Sequence, residues 1–511
     1  MSETGTVERP TATDVVVVGA GVAGLSAAVA ARDAGAQVEV AEAWPQIGGL
    51  SLLSSGYLRA ADDLDRAVAY LRRLSAGTLP DDGVRTLAGY LVAAPALLEA
   101  LAAEVGATAF ARFGAELAPF ESGDLHDWTG RDALGWTGID ALPGFDRYPH
   151  ASGQRGHTLV RALELAARAR GVRVQTSTRV VDLLIEHAAH GRPRVGGVVL
   201  DGPDGRAAVR ARRGVVLATG GFEFDATALA DHVPAPGIAA IGHRGNRGDG
   251  LRLAARAGAA LWHLANVHGS YGFLLPGRDV PIRNHLGGAR RDDRPVGWIL
   301  VDRRGRRFTN EAPRAPQDTP WKALAAIDDA SGEAWASPCW LLFDDDGRRL
   351  GPLGRPAWSR PQDRYEWSAD NSAEIRSGAI VVAATLDELA QRIGLDPPAL
   401  RATVAAWNDQ VDAGADPLGR PPGTMAPLRR APFHALRTVP ILSNTHGGPR
   451  HDAAQRVLDG DGRPIAGLWA AGELGSWFGH RYLLGGNLTE ALAGGAAAGR
   501  GAAARVQAVA A

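Results

Sequence analysis

A chain of 511 residues is longer than one ordinary hydrophobic core organises, so two domains are expected. Hydrophobic residues at 45% and charged residues at 22% describe a globular protein, and a formal net charge of −1 gives no basis for binding nucleic acid or an anionic membrane surface. The single cysteine, Cys339, excludes an intrachain disulfide and a cysteine-rich metal centre, and its setting in PCWLLF predicts a packed small hydrophobe.

Residues 1–13 are polar and lack the apolar core of a signal peptide, and no run approaches the ~20 apolar residues of a membrane helix. A cytoplasmic protein without membrane insertion is therefore expected. The apolar, β-branched run at residues 14–18 predicts a buried parallel strand. Gly19, Gly21 and Gly24 follow in the pattern G-x-G-x-x-G, an Ala-rich helix is predicted over 25–33, and a second strand over 37–41 ends at Glu42, 23 positions after Gly19. A β-α-β unit of this kind with a terminal acid predicts a dinucleotide site. Gly19 makes the turn, Gly21 admits a pyrophosphate to the helix N-terminus, and Gly24 lets helix and strand pack closely. Glu42 accepts hydrogen bonds from an adenosine ribose. The unit by itself does not separate FAD from NAD, and a Gly-rich turn without a ligand is the plainer alternative.

A Gly/Ser segment at 47–56 leads into a mostly helical, Ala/Leu-rich region to about residue 118. Residues 120–156 lack periodicity and read as loop. A helix is predicted over 157–170, strands over 172–178, 195–201 and 207–221, and a helix over 248–260. From about 262 to 435 tryptophans, prolines and Arg/Asp-rich turns become frequent, with two helices joined by GLDPP near 384–414. The Gly-rich style then returns and ends in an Ala-rich helix over 489–507. The expected architecture is α/β: a discontinuous Rossmann-like domain (13–261 and 436–511) with an inserted α+β capping domain (262–435).

Three later segments suit a flavin. In GVVLATGGF a buried strand runs into Thr219-Gly220-Gly221, where backbone can approach a ligand. In LWAAGELGS, Gly472-Glu473 places an acid at a strand end, where it either holds a ribityl hydroxyl or is a solvated loop acid. In YLLGGNLTEALAGG, Asn487 is a good N-cap type before the last helix, whose dipole suits the negative charge that a reduced flavin gathers. Together with Gly48-Gly49-Leu50-Ser51 through Gly56, Leu217 to Phe222, Asn246 to Gly250, Gly305 to Glu311 and Gly447 to Glu473, these segments follow one order. The chain resembles the fumarate reductase/succinate dehydrogenase flavoprotein family, including the 3-ketosteroid dehydrogenases, over nearly its whole length.

The resemblance implies FAD held between two domains by Gly19, Gly21, Val22, Ala23, Gly24, Glu42, Ala43, Gly48, Gly49, Leu50, Ser51, Ser55, Gly56, Val180, Ala218, Thr219, Gly220, Asn246, Asp249, Gly472, Glu473, Asn487 and Leu488. No His follows the first Gly-rich unit where succinate dehydrogenases attach flavin, so the FAD is expected to be noncovalent. The ionic residues with which family reductases clamp a C4 dicarboxylate are replaced by Ala315, Asn444 and Leu483, and desolvating unpaired carboxylates is costly. Arg314, Arg481, His480 and His446 stand nearby and keep a fumarate-reductase-like reduction of an unsaturated acid as the alternative. The ketosteroid dehydrogenases' ketone-holding turn falls on Tyr482 to Gly486. The resemblance therefore implies catalysis by Tyr482 and Gly486 on a carbonyl oxygen, with Arg314 or Tyr271 as second group. The expected reaction inserts or reduces a C–C double bond conjugated to a carbonyl by hydride transfer at flavin N5, with a separate electron donor or acceptor. A cyclic substrate is favoured if Trp262, Trp298, Trp321, Trp340, Trp358 and Trp367 line the cleft rather than fill a core. A flavin-binding protein without turnover is the third reading.

Overall fold

The computed structural model describes residues 12–117, 125–148, 155–186, 192–284, 290–291, 294–313, 320–334, 336, 338–355, 365–479 and 481–504. Strand β1 (Ala12–Val18), helix α1 (Val22–Asp33) and strand β2 (Val38–Ala41) form the β-α-β unit expected at the N-terminus. β1 is flanked on both sides by parallel partners, with Val17 opposite Val40 and Val216. Val15 to Val18 are therefore buried on both faces, as a continuous apolar run requires. The sheet continues through Arg173–Gln175 on one side and through Gly205–Leu217 and Pro464–Ala470 on the other, all parallel, with an antiparallel extension by Arg179–Glu186 and Arg194–Gly202. The C-terminal helix Gly486–Ala503 packs on α1 at backbone distance: a Cβ on Gly495 would stand 2.3 Å from Ala23 O, and one on Gly499 would stand 2.0 Å from Ala27 O.

A second sheet is built around one long strand, Phe433–Thr445. It pairs antiparallel with Val267–Phe273 and Cys339–Phe343 and along its length with Ala239–Ala240 and Ile380–Ala383. Cys339, Trp298 and Trp367 are buried in this sheet's core, with Trp340 packed against it. Cys339 thus packs as its sequence setting predicts.

Residues 120–156, read as loop, contain the strand Leu134–Ala141, which pairs with both Tyr57–Ala61 and Thr108–Arg112. Its glycines hide the alternation, yet they are required. A Cβ on Gly135 would lie 2.3 Å from the Phe113 ring, and one on Gly138 would lie 2.9 Å from the Phe110 ring. The helix Asp81–Val105 also corrects the expectation that no segment is apolar enough to span a membrane, since it qualifies by length and composition. Its buried residues Val84, Leu87, Leu91, Ala94, Leu98 and Leu101 recur every three or four positions, and the helix lays that stripe on the protein interior.

Gly499→Val should lower the unfolding free energy by about 2–3 kcal/mol through overpacking against Ala27. Gly89→Ala, where an added Cβ meets nothing within 4 Å, should raise it by about 0.5–1 kcal/mol. Denaturant titration separates the two signs. On the C-terminal helix, Glu490 accepts from Ser476 Oγ at 2.6 Å and Trp477 N at 2.7 Å, and burial pushes its carboxyl up to about 7. The folded state then holds a proton that the unfolded state releases. Stability should fall by about 3 kcal/mol as pH rises from ~4.5 to ~7 and level off above, and Glu490→Gln should lack that slope.

Candidate functional site

The turn after β1 is set by two close backbone contacts. Gly19 has φ +102°, and a Cβ there would lie 2.3 Å from Ala218 O, while one on Gly24 would lie 1.9 Å from Gly19 O. Gly21 differs, because its nearest neighbours to an added Cβ are Ser51 Oγ at 3.6 Å and Gly48 O at 3.8 Å. The protein leaves that space open where the N-terminus of α1 begins. α1 has no side-chain cap, and Ser51 Oγ accepts from Val22 N at 3.3 Å. At the end of β2, buried Glu42 accepts from Ala20 N at 2.8 Å and Trp44 N at 2.9 Å, and burial raises its pKa.

These groups form one end of a long cavity enclosing about 1450 Å³ of space, part of it open to solvent. Of the predicted cofactor residues, Gly19, Gly21, Val22, Ala23, Glu42, Ala43, Gly48, Gly49, Leu50, Ser51, Ser55, Val180, Ala218, Thr219, Gly220, Asn246, Asp249, Glu473, Asn487 and Leu488 line it. Gly24, Gly56 and Gly472 stand behind the wall and shape it: added Cβ atoms would meet Gly19 O, Arg155 C and Ala23 Cβ respectively. Asp249 lines the cavity while held by Arg179 at 2.6 Å and Arg252 at 2.7 Å. Asn487 is not the helix cap expected. Gly485 occupies that position with φ +81°, and Asn487 stands in the first turn. Both polar atoms of the Asn487 side chain, and Thr219 Oγ1, are buried without a protein partner. An open glycine face, a helix N-terminus and three orphaned polar atoms along one cavity fit a long polar ligand such as FAD.

Glu473 accepts from Thr445 N at 3.2 Å and lies beside Glu223, whose Oε1 accepts from Asn246 Nδ2 at 3.3 Å. Glu223 is buried and Glu473 half-buried at the cavity wall, and desolvation pushes both pKa values up, with Glu223 adding repulsion at Glu473. One retained proton between them removes a charge that the interior cannot solvate.

Away from Trp44, against whose ring His243 packs at 4.9 Å, the lining residues include Tyr57, His268, Arg283, Ser443, Asn444 and Tyr482. The Tyr482 hydroxyl accepts from Gly485 N at 3.0 Å, and its ring packs 4.0 Å from that of His268, centroid to centroid. His268 Nδ1 lies 3.2 Å from Asn444 Oδ1. Sequence reading missed His268 and Arg283. They sit in short strands that carry no motif; Val267–Phe273 pairs with the distant strand Phe433–Thr445, and Ile282–Asn284 pairs in turn with Val267–Phe273.

Three expectations need correction. Gly486 N–H donates to Leu483 O at 2.8 Å, closing the turn, and Gly486 is not among the lining residues; Gly485 is. Tyr271 lies in the second sheet's core, where burial pushes its pKa above the ordinary tyrosine value, and it is not among the lining residues. His446 is fully buried, and burial drives its pKa well below the usual value; it stands neutral 5.8 Å from Tyr482, ring to ring, rather than as a cation. Arg481 sits over the Trp128 ring, and none of Trp262, Trp298, Trp340 or Trp367 is among the lining residues. Arg314, His480, Ala315, Trp358 and the side chain of Trp321 lie outside the described residues.

A family model described as FAD binding domain matches residues 14–488. The chain is 30% identical to a 4-oxocyclohexanecarboxylate 2-dehydrogenase of Sinomonas cyclohexanicum, over 90% of this chain and 87% of that protein. It is 29% identical to a fumarate reductase (cytochrome) of Shewanella frigidimarina, over 93% of this chain and 74% of the other. A 3-ketosteroid delta1-dehydrogenase from Sterolibacterium denitrificans, solved with 1,4-androstadiene-3,17-dione, shares the fold with a TM-score of 0.78 at 24% identity, covering 96% of this chain and 99% of that one.

Gly21→Val should leave a folded protein, since an added Cβ makes only ordinary contacts with Ser51 Oγ at 3.6 Å and Gly48 O at 3.8 Å, but should narrow the cavity against the expected pyrophosphate. The purified variant is expected to show less than about a tenth of the wild-type flavin absorbance per chain and to melt at the temperature of the wild-type protein stripped of flavin.

Proposed function

The chain belongs to the FAD binding domain family and is an FAD-dependent oxidoreductase acting on CH–CH bonds, and from that premise we propose that it desaturates a ketone between its α and β carbons. The observation that carries the proposal is the packing of the Tyr482 and His268 rings at 4.0 Å in the wall of the cavity that the glycine turn opens. FAD, when bound, supplies the two-electron oxidant for the hydride that leaves the β carbon. The Tyr482 hydroxyl, polarised by the Gly485 N–H it accepts, donates to the ketone oxygen and stabilises the negative charge that develops there. With Asn444 Oδ1 accepting from Nδ1–H of His268, the basic lone pair stands on Nε2, which takes the α proton. The two losses together leave a double bond conjugated to the carbonyl.

In this reading Gly19 to Gly24 and Glu42 hold the adenosine and pyrophosphate portion, while Glu473, Thr219 and Asn487 face the flavin portion. The FAD is noncovalent and leaves with the acid supernatant on precipitation. Residues 13–261 and 436–511 form the cofactor-binding part and 262–435 the cap. The electron acceptor is a separate carrier in the cytoplasm. The similarity to a 4-oxocyclohexanecarboxylate dehydrogenase favours a small cyclic ketone, and the similarity to a fumarate reductase supports the reverse reaction on an unsaturated acid as the second reading.

Steady-state assays of the holoenzyme with an artificial electron acceptor and a panel of cyclic ketones test the proposal. Turnover is expected with at least one ketone, and Tyr482→Phe should lower kcat roughly 100-fold with FAD content retained. Reduction of fumarate by reduced dye, with no ketone oxidised, would transfer the assignment to the second reading.

A further inference from the structure

We infer that Tyr57 is the wall that limits the size of the substrate ring, so that this cavity takes monocyclic rather than fused polycyclic ketones; this rests on the ketone reading above. Tyr57 begins the strand Tyr57–Ala61 of a small three-stranded sheet and is half-buried in the cavity wall. Side chains two apart on a strand share a face, so Tyr57 and Arg59 point the same way. Arg59 shows what lies on that side. Its Nε donates to Leu484 O at 3.0 Å, and its backbone N–H donates to Gly485 O at 3.2 Å. Gly485 is the residue whose own N–H donates to the Tyr482 hydroxyl. The strand that carries Tyr57 is thus fastened to the turn that takes the ketone oxygen, and Tyr57, Tyr482, Leu484 and Gly485 all line the cavity.

The Tyr57 ring is braced from behind. Phe110, on the far edge strand Thr108–Arg112, meets it edge-on at 5.3 Å and 82°, and Trp136 flanks it at 6.2 Å, centroid to centroid. Aromatic pairs at these separations attract. Phe110 reaches Tyr57 across the central strand because Gly138 stands opposite both of them. A Cβ on Gly138 would lie 2.9 Å from the Phe110 ring, so only glycine lets the two rings meet. The Arg155 guanidinium lies over the Tyr57 ring at 5.7 Å and is itself ion-paired with Asp140. The backbone is held too: Gly156 N–H donates to Ser54 O at 3.0 Å, just ahead of Tyr57. A side chain packed in this way moves aside only at a cost, so its cavity-facing surface is a fixed boundary. Tyr482 sets where the carbonyl sits, and Tyr57 sets how far the ring extends. A single six-membered ring packs against Tyr57, whereas a second fused ring collides with it.

Cyclohexanone and its fused bicyclic counterpart decalone, titrated into the oxidised holoenzyme and followed by the flavin absorption spectrum, test the wall without turnover. The wild type is expected to bind cyclohexanone roughly 30-fold tighter than decalone. Tyr57→Ala should bring the two affinities within about threefold of each other, whereas Tyr57→Phe, which keeps the ring, should hold the wild-type ratio within about twofold. Phe110→Ala removes the brace from an edge strand and should lower the ratio about fivefold, and it decides the matter if Tyr57→Ala does not fold. Equal binding of the two ketones by the wild type, or a ratio unmoved by Tyr57→Ala and Phe110→Ala, would overturn the inference. So would a ratio lost as fully in Tyr57→Phe as in Tyr57→Ala, which would assign the selection to the hydroxyl. A parallel turnover assay with an artificial acceptor separates the two claims: failure to oxidise cyclohexanone, with the binding ratios as expected, counts against the ketone reading alone.

Discussion

The two large sheets are pinned together at Thr445. Its hydroxyl accepts from Phe222 N at 2.9 Å in a buried setting, and its own N–H donates to Glu473 Oε1 at 3.2 Å in a partly buried one. Phe222 follows the loop that leaves the parallel sheet after Gly205–Leu217, and Glu473 follows the parallel strand Pro464–Ala470. Thr445 ends the long strand of the second sheet. One residue therefore fixes the strand carrying Ser443 and Asn444 against the loops that close the dinucleotide end. A cavity with a cofactor at one end and a substrate at the other needs that registration, since hydride transfer tolerates little displacement between the reacting atoms.

Burial around this pin is managed with unusual care for charge. Glu223 is buried and Glu473 half-buried beside it, and desolvation favours the protonated form of each. Nearby His446 is kept neutral by the same low dielectric. The charges that remain at the cavity wall are those with a task or a partner. Asp249 is neutralised by Arg179 and Arg252, and Arg283 stands beside Ser443.

The cofactor end was legible in the sequence because its determinants are local. The run 14–42 contains strand, turn, helix, strand and acid, and the contacts of Gly19, Gly21 and Gly24 follow from that spacing. The substrate end was not legible in the same way. His268 meets Asn444 across 176 positions and Arg283 meets Ser443 across 160, and the register in which these strands pair is a property that no single strand reveals. Tyr482 was found through a turn resembling that of the ketosteroid dehydrogenases. The neighbouring Gly486 was misassigned, because which glycine N–H closes the turn and which faces the cavity depends on a hydrogen bond to Leu483. The strand Leu134–Ala141 was missed for a related reason: its glycines are dictated by the rings of Phe110, on the strand Thr108–Arg112, and of Phe113 just beyond it.

The claim that the Tyr482–His268 wall removes a proton and a hydride from adjacent carbons of a ketone is met most directly by rapid mixing. Oxidised holoenzyme and 4-oxocyclohexanecarboxylate, deuterated or not at the β carbon, would be combined without oxygen while flavin absorbance is followed. The account predicts bleaching whose rate falls about three- to sevenfold on β-deuteration, the usual size of a primary isotope effect on breaking a C–H bond. No bleaching with this or any other cyclic ketone, alongside reoxidation of the reduced protein by fumarate, would contradict it.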